Sequence, residues 1–183
     1  ARADVAILIG SLPVETPDTF YRDLLERTPC PAVLDFRGPG LLSVLDLKPY
    51  VVKPNREELA QTAAKPLDTD QDLVNAMRRL NDRGAQWVVI TQGDGPVWVT
   101  SANETYRIQP PKVDHIINPI GCGDAMAAGI ASATRQGQNP IESIRHGIAA
   151  AANNLSQLLS CRLDPGGVEE LSALVTVEKV PVG

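Results

Sequence analysis

Aromatic residues make up only 4% of the 183 positions, so any core must be built from aliphatic side chains. Three cysteines occur, Cys30, Cys122 and Cys161, far apart and without CxxC spacing. That argues against a disulfide framework or a zinc site and fits a reducing cytoplasm. The two histidines, His115 and His146, have no partner at metal-ligand spacing and are expected in a loop and on a helix surface. No apolar run approaches the ~20 residues of a membrane helix. The opening residues ARADVAILIGSLP do not read as a signal peptide, because Asp4 interrupts a short apolar stretch and a turn follows. No block of Lys or Arg appears and the net charge is −5, which argues against nucleic acid or an anionic membrane as the main partner. A GxxxxGK[ST] phosphate loop is also missing.

What remains is ordinary globular composition, at a length that fits one α/β domain over 1–183. Apolar runs alternate with helical patterns. VAILI (5–9) reads as a buried strand. TPDTFYRDLLERT (16–28) reads as a helix, with Thr16 as cap and Pro17 at its first position. AVLDF (32–36) and YVV (50–52) are further strands, with a short helix around Leu41–Leu45 between them. NREELAQTA (55–63) starts with Asn55 and carries Glu58 three residues on, the spacing of a capping box. A strong helix over 69–84 stops at Gly84, and WVVI (87–90) is a fourth strand. PVWVT and ETYRI form a hairpin, and helices are expected from Gly121–Gly123 to about Gln136 and from Pro140 to about Leu159. In the tail, 164–174 reads as a turn with a short helix and 175–182 as an edge strand or a loose end. Strands apolar throughout and separated by helices predict a mainly parallel sheet covered on both faces, a three-layer αβα sandwich.

The residues after each strand carry the functional signal. Gly10-Ser11, Arg37-Gly38, Lys53-Pro54-Asn55 and the turn Thr91 to Gly95 would all lie on one rim, at the carboxyl ends of parallel strands. Open α/β sheets bind ligands there. Any one such turn is ordinary loop chemistry. Four on one edge, with Arg37 and Lys53 in an acidic chain, point to an anionic ligand. INPIGCGDAMAAGIA (117–131) adds a helix mouth, where free N–H groups and the helix dipole make an anion hole. Asp124 sits there as a candidate base for phosphoryl transfer, whose demands are mainly positioning and charge neutralisation.

KPNREEL (53–59), TQGDGPVWV (91–99) and NPIGCGDAMAAGI (118–130) together resemble the ribokinase-like, PfkB-type sugar kinases in type, order and spacing. GSLP (10–13) and LDFRGPGLL (34–42) match more loosely, and the details are closest to the branch acting on tagatose-6-phosphate or fructose phosphates. The resemblance covers residues 4–160. It implies ATP-dependent phosphorylation of a sugar-phosphate hydroxyl. The open alternatives are a kinase for an unphosphorylated sugar or nucleoside and a non-catalytic nucleotide-binding module.

By the same resemblance, Asp124 is the base, and Gly121, Cys122 and Gly123 form the hole for the γ-phosphate. Asn55 and Glu58 act through water on Mg²⁺, with Glu58 also a plain capping acid, and Lys53 faces nucleotide phosphate. Thr91, Gly93 and Gly95 form the nucleotide turn, while Asn118 and Asn153 (or Asn154) lie near adenine. Gly10, Ser11 and Arg37 face the sugar phosphate, Arg37 equally well forming a salt bridge. Cys122 serves by its size and backbone N–H rather than as a thiol. Family members run to roughly 300 residues, so the first strands, a Gly-Gly sugar contact and the β lid are expected to be missing here. In relatives that lid commonly forms a homodimer contact.

Overall fold

The computed structural model describes residues 3–17 and 19–181; Asp18, in the expected first helix, and residue 182 of the expected tail strand lie outside them. Seven strands form one sheet in chain order: β1 (Ala6–Ile9), β2 (Ala32–Asp35), β3 (Val51–Val52), β4 (Trp87–Ile90), β5 (Val97–Thr100), β6 (Thr105–Gln109) and β7 (Thr176–Val180). The first four strands are parallel. The expected hairpin and the tail strand then extend the sheet antiparallel. The expected parallel sheet is therefore β1–β4, and the whole is mixed.

Crossovers that step always in one direction, with right-handed connections, put their helices on one face. Accordingly α1 (Phe20–Glu26), α2 (Gly38–Leu42), α3 (Arg56–Ala63) and α4 (Asp70–Asp82) pack together on one side, over Leu34, Val52, Val88 and Ile90. The alternate strand residues Val33, Val51, Val89 and Val99 face the other side, which α5 (Cys122–Arg135), α6 (Pro140–Leu155) and α7 (Pro165–Leu174) cover. Each fully buried Leu or Ile contributes about 1.5–3 kcal/mol, so an aromatic-poor core of this size suffices. Its most notable aromatic contact is the Tyr21–Phe36 stack, with ring centroids 3.9 Å apart.

Three local expectations need correction. The first helix begins at Phe20, not Pro17, because the Phe20 N–H closes a turn onto the Pro17 carbonyl (2.9 Å) before the helix starts. Strand β1 is not buried: Ile7 and Ile9 are 41% and 38% exposed, since among the described residues the strand is the sheet's edge and pairs only with β2. Helix α6 stops at Leu155 rather than Leu159 because the Ile117 and Asn118 N–H groups capture the Leu155 carbonyl at 2.7 and 3.1 Å.

The small residues after Asp124 have a packing purpose. A Cβ on Gly129 would come within 2.9 Å of Ala150 Cβ and Gly147 Cα, and one on Gly147 within 2.5 Å of Ile130 Cγ1. The two helices therefore approach almost backbone to backbone, which fixes the end of α6 against the start of α5. At the stop of α4, Gly84 has φ +128°, and a Cβ there would lie 2.1 Å from the Leu45 carbonyl oxygen. Gly84→Ala is expected to cost about 2–3 kcal/mol, lowering the thermal midpoint by roughly 5–10 °C. A melting curve that superimposes on the original would disprove this.

Candidate active site

The carboxyl ends of β1–β4 do form one rim, and the start of α5 faces it. Gly121 precedes the helix with φ +83°, a conformation in which a Cβ would meet Ser160 and Cys161 at 3.1 Å. The first intrahelical bond is from the Ala125 N–H to the Gly121 carbonyl (2.8 Å). The N–H groups of Cys122, Gly123 and Asp124 belong to the first turn and need acceptors from outside the helix. Asp124 is the third residue of α5, an acid placed at the positive end of the dipole.

Beneath this mouth lies an ion pair. Lys53 Nζ, directly after β3, is 2.8 Å from Asp35 Oδ2, the last residue of β2, and the two side chains are 4% and 15% exposed. A Cβ on Gly123 would stand 3.4 Å from that carboxylate and 3.5 Å from the ammonium, so the pair lies within contact distance of the helix end. Burial pushes the Asp35 carboxyl above the usual carboxylate range. Lys53 opposes this shift, and the charges of Glu58 and Asp124 reinforce it. The sequence reading did not single out Asp35. Its signal was an acid closing an otherwise apolar strand on the same rim.

Asn55 and Glu58 complete the expected capping box: the Asn55 side chain accepts the Glu58 N–H (2.8 Å), and Glu58 Oε2 accepts the Asn55 N–H (2.9 Å). The other oxygen of Glu58 takes Arg37 Nη1 at 3.1 Å, so Arg37 stands in the salt bridge that was one of its two expected roles. Thr91 bridges Asn55 in the parallel direction, and its carbonyl accepts the Arg56 N–H (3.0 Å). Gly93 has φ +66°, and the Gly95 N–H closes the turn onto Gln92. Asn55, Thr91 and Gly93 share the wall of an open cleft of about 560 Å³. Gly10 joins the rim through its N–H to the Asp35 carbonyl (3.1 Å), and Ser11 follows it, exposed.

The side chains of two expected nucleotide contacts make hydrogen bonds within the chain. Asn153 is buried, and its Oδ1 accepts the Asp164 N–H (3.0 Å), anchoring the start of α7. Asn118 ties its own loop: Nδ2 donates to the Leu158 carbonyl and Ser160 Oγ, and Oδ1 accepts the Ile120 N–H. Cys161, which the spacing argues is neither a disulfide nor a zinc cysteine, lies at the same turn, its Sγ 3.6 Å from the Gly121 carbonyl. Burial raises its thiol, and the charges of Asp124 and Cys122 raise it further, so it is a neutral thiol near pH 7 and not a nucleophile. Among the described residues no three His, Cys, Asp or Glu side chains converge on a cation, and no helix is long and apolar enough to cross a membrane. A Mg²⁺ carried in by phosphate oxygens and water needs only one or two carboxylates, and Glu58, on the rim beside Asn55, fits that requirement.

The model of the pfkB family carbohydrate kinases matches residues 2–163. Among solved structures, the fold is similar to Escherichia coli phosphofructokinase-2 in complex with potassium, with TM-score 0.83 and 21% identity over 92% of this chain and 56% of that one. It is equally similar to a possible 1-phosphofructokinase from Thermotoga maritima, with TM-score 0.83 and 21% identity over 97% of this chain and 57% of that one. The chain thus spans little more than half the length of these neighbours.

Proposed function

Because the chain belongs to the pfkB family of carbohydrate kinases, we propose that it carries the nucleotide-binding and catalytic half of an enzyme that moves the γ-phosphoryl group of ATP to a hydroxyl of a sugar phosphate, of the tagatose-6-phosphate or fructose phosphate type. The observation that carries this reading is Asp124 in the first turn of α5, behind the Gly121 turn and above the Lys53–Asp35 pair. A hydroxyl oxygen attacks the γ-phosphorus, its proton passes to the Asp124 carboxylate, and the bond to the β-phosphate oxygen breaks to release ADP. The Cys122 and Gly123 N–H groups take the charge on the transferred group, and Lys53 holds the neighbouring phosphate. Glu58 and Asn55 would hold the water shell of a Mg²⁺, which when bound would supply neutralisation of phosphate charge. Thr91, Gly93 and Gly95 lie against the nucleotide, while Gly10, Ser11 and Arg37 face the acceptor.

The test is ADP release from ATP with a panel of acceptors. Turnover with a hexose phosphate supports the proposal. Faster turnover with a free sugar or a nucleoside would move the assignment to those substrates, and ATP binding without ADP release would mark a nucleotide-binding module instead. Arg37→Ala is expected to raise KM for a sugar phosphate about tenfold, the loss of one charge-assisted bond, while leaving KM for an unphosphorylated acceptor unchanged. An unmoved KM for both would leave Arg37 as the partner of Glu58 alone.

A further inference from the structure

We infer that Asn154, near the end of α6, is a positioning residue for phosphoryl transfer: it holds the turn that opens α5 at the height where its free N–H groups meet a phosphate. The inference rests on the phosphoryl-transfer reading above. Asn154 is wholly buried, yet it lies in none of the segments that carry the family motifs. Its Nδ2 donates to the Ile120 carbonyl (2.9 Å), the Asn118 carbonyl (3.5 Å) and Cys122 Sγ (3.3 Å). Its Oδ1 accepts the Cys161 N–H at 2.7 Å. The partners fix which way the amide faces. Two carbonyl oxygens demand a donor, and a backbone N–H demands an acceptor.

One side chain therefore grips both segments that meet at Gly121. The first is the arm 118–122 that enters α5. The second is the loop after α6, whose Cys161 Sγ donates in turn to the Gly121 carbonyl (3.6 Å). Further bonds join the same two segments, from the Ile117 and Asn118 N–H groups to Leu155 and from the Asn118 amide to Leu158 and Ser160. The end of α6 can serve as a fixed reference because Gly129 and Gly147 bring the two helices into direct contact. Asn154 touches no reacting atom. It acts by placing Gly121, Cys122 and Gly123, and a hole built from backbone N–H groups works only where those groups are held in advance.

Asn154→Asp keeps the size of the side chain and the bond from Cys161. It puts an oxygen where two carbonyls require a donor. Asn154→Ser loses the same donor without adding charge, and serves if the acidic variant does not fold. Two measurements on the chain follow. In calorimetry, affinity for a non-hydrolysable ATP analogue should fall about tenfold, while affinity for AMP stays within about twofold, because the damage is confined to the anion hole. In hydrogen exchange, amides over 117–125 should open about tenfold faster while those of α4 keep their rates. Equal loss for both nucleotides, no loss for either, or unchanged exchange over 117–125 overturns the role. If the original chain binds neither nucleotide but exchange changes as expected, the kinase reading falls and Asn154 stands as the organiser of this turn.

Discussion

Asp124→Asn should reduce turnover by about 10²–10⁴-fold, the range over which positioned acid–base groups act, with affinity for ATP changed by no more than about threefold. Asparagine fills the same volume and leaves the Gly121 turn and its N–H groups in place, but it cannot accept the hydroxyl proton. The Asp124 charge also helps to raise the Cys161 thiol. Its removal should therefore let Cys161 react faster with an alkylating reagent at a fixed pH near 8, independently of activity. Steady-state kinetics with the best acceptor, run beside the alkylation rate, decide the matter. Turnover close to that of the original protein, with the thiol accelerated as expected, would show that Asp124 sits in the mouth of α5 without serving as the base.

The second large effect belongs to Lys53→Met. Breaking a buried pair from one side costs about 3–5 kcal/mol, since the remaining charge is stranded. The stranded group is Asp35, whose carboxyl is already raised by burial with Lys53 in place. Without the ammonium, both influences that lower it vanish, while burial, Glu58 and Asp124 still push it up. A group whose folded pKa lies above its unfolded value contributes stability below the unfolded value and loses it as pH rises through the folded one. The variant should therefore be least impaired in the ordinary carboxylate range and increasingly unstable toward neutral pH. Urea unfolding at several pH values between about 5 and 8 would show the trend. Stability loss independent of pH would contradict it. The double variant Lys53→Met with Asp35→Leu should regain most of the stability and stay inactive, separating the fold's need for the pair from the phosphate's need for the ammonium.

Periodicity and turn chemistry made much of this architecture readable in advance. Alternating apolar runs with helices between them predicted the parallel strands β1–β4, and hence the rim where Lys53, Asn55 and Thr91 meet. The capping box of Asn55 and Glu58 was visible because it is a contact across three residues. What stayed hidden depends on partners distant in sequence. VAILI reads as a buried strand by its content, and only the sheet order reveals that it is an edge with Ile7 and Ile9 outward. Nothing local to Asp35 announces Lys53, eighteen positions later, as its partner. Asn153 and Asn154 look alike in sequence. A helical step of about 100° sends one to Asp164 and the other to the mouth of α5, and that choice is made by the packing of α6 against α5.

The outer margin of β7 is guarded by charge, and this has a consequence for association. On β7 the outer margin carries Glu178 and Lys179, paired across to Arg107 and Glu104. Charges of this kind discourage the addition of another strand. Strand addition along β7 is therefore disfavoured by the charges that the strand itself carries. Glu178→Thr together with Lys179→Thr should lift that guard, and light scattering across a concentration series should then rise more steeply than for the original chain.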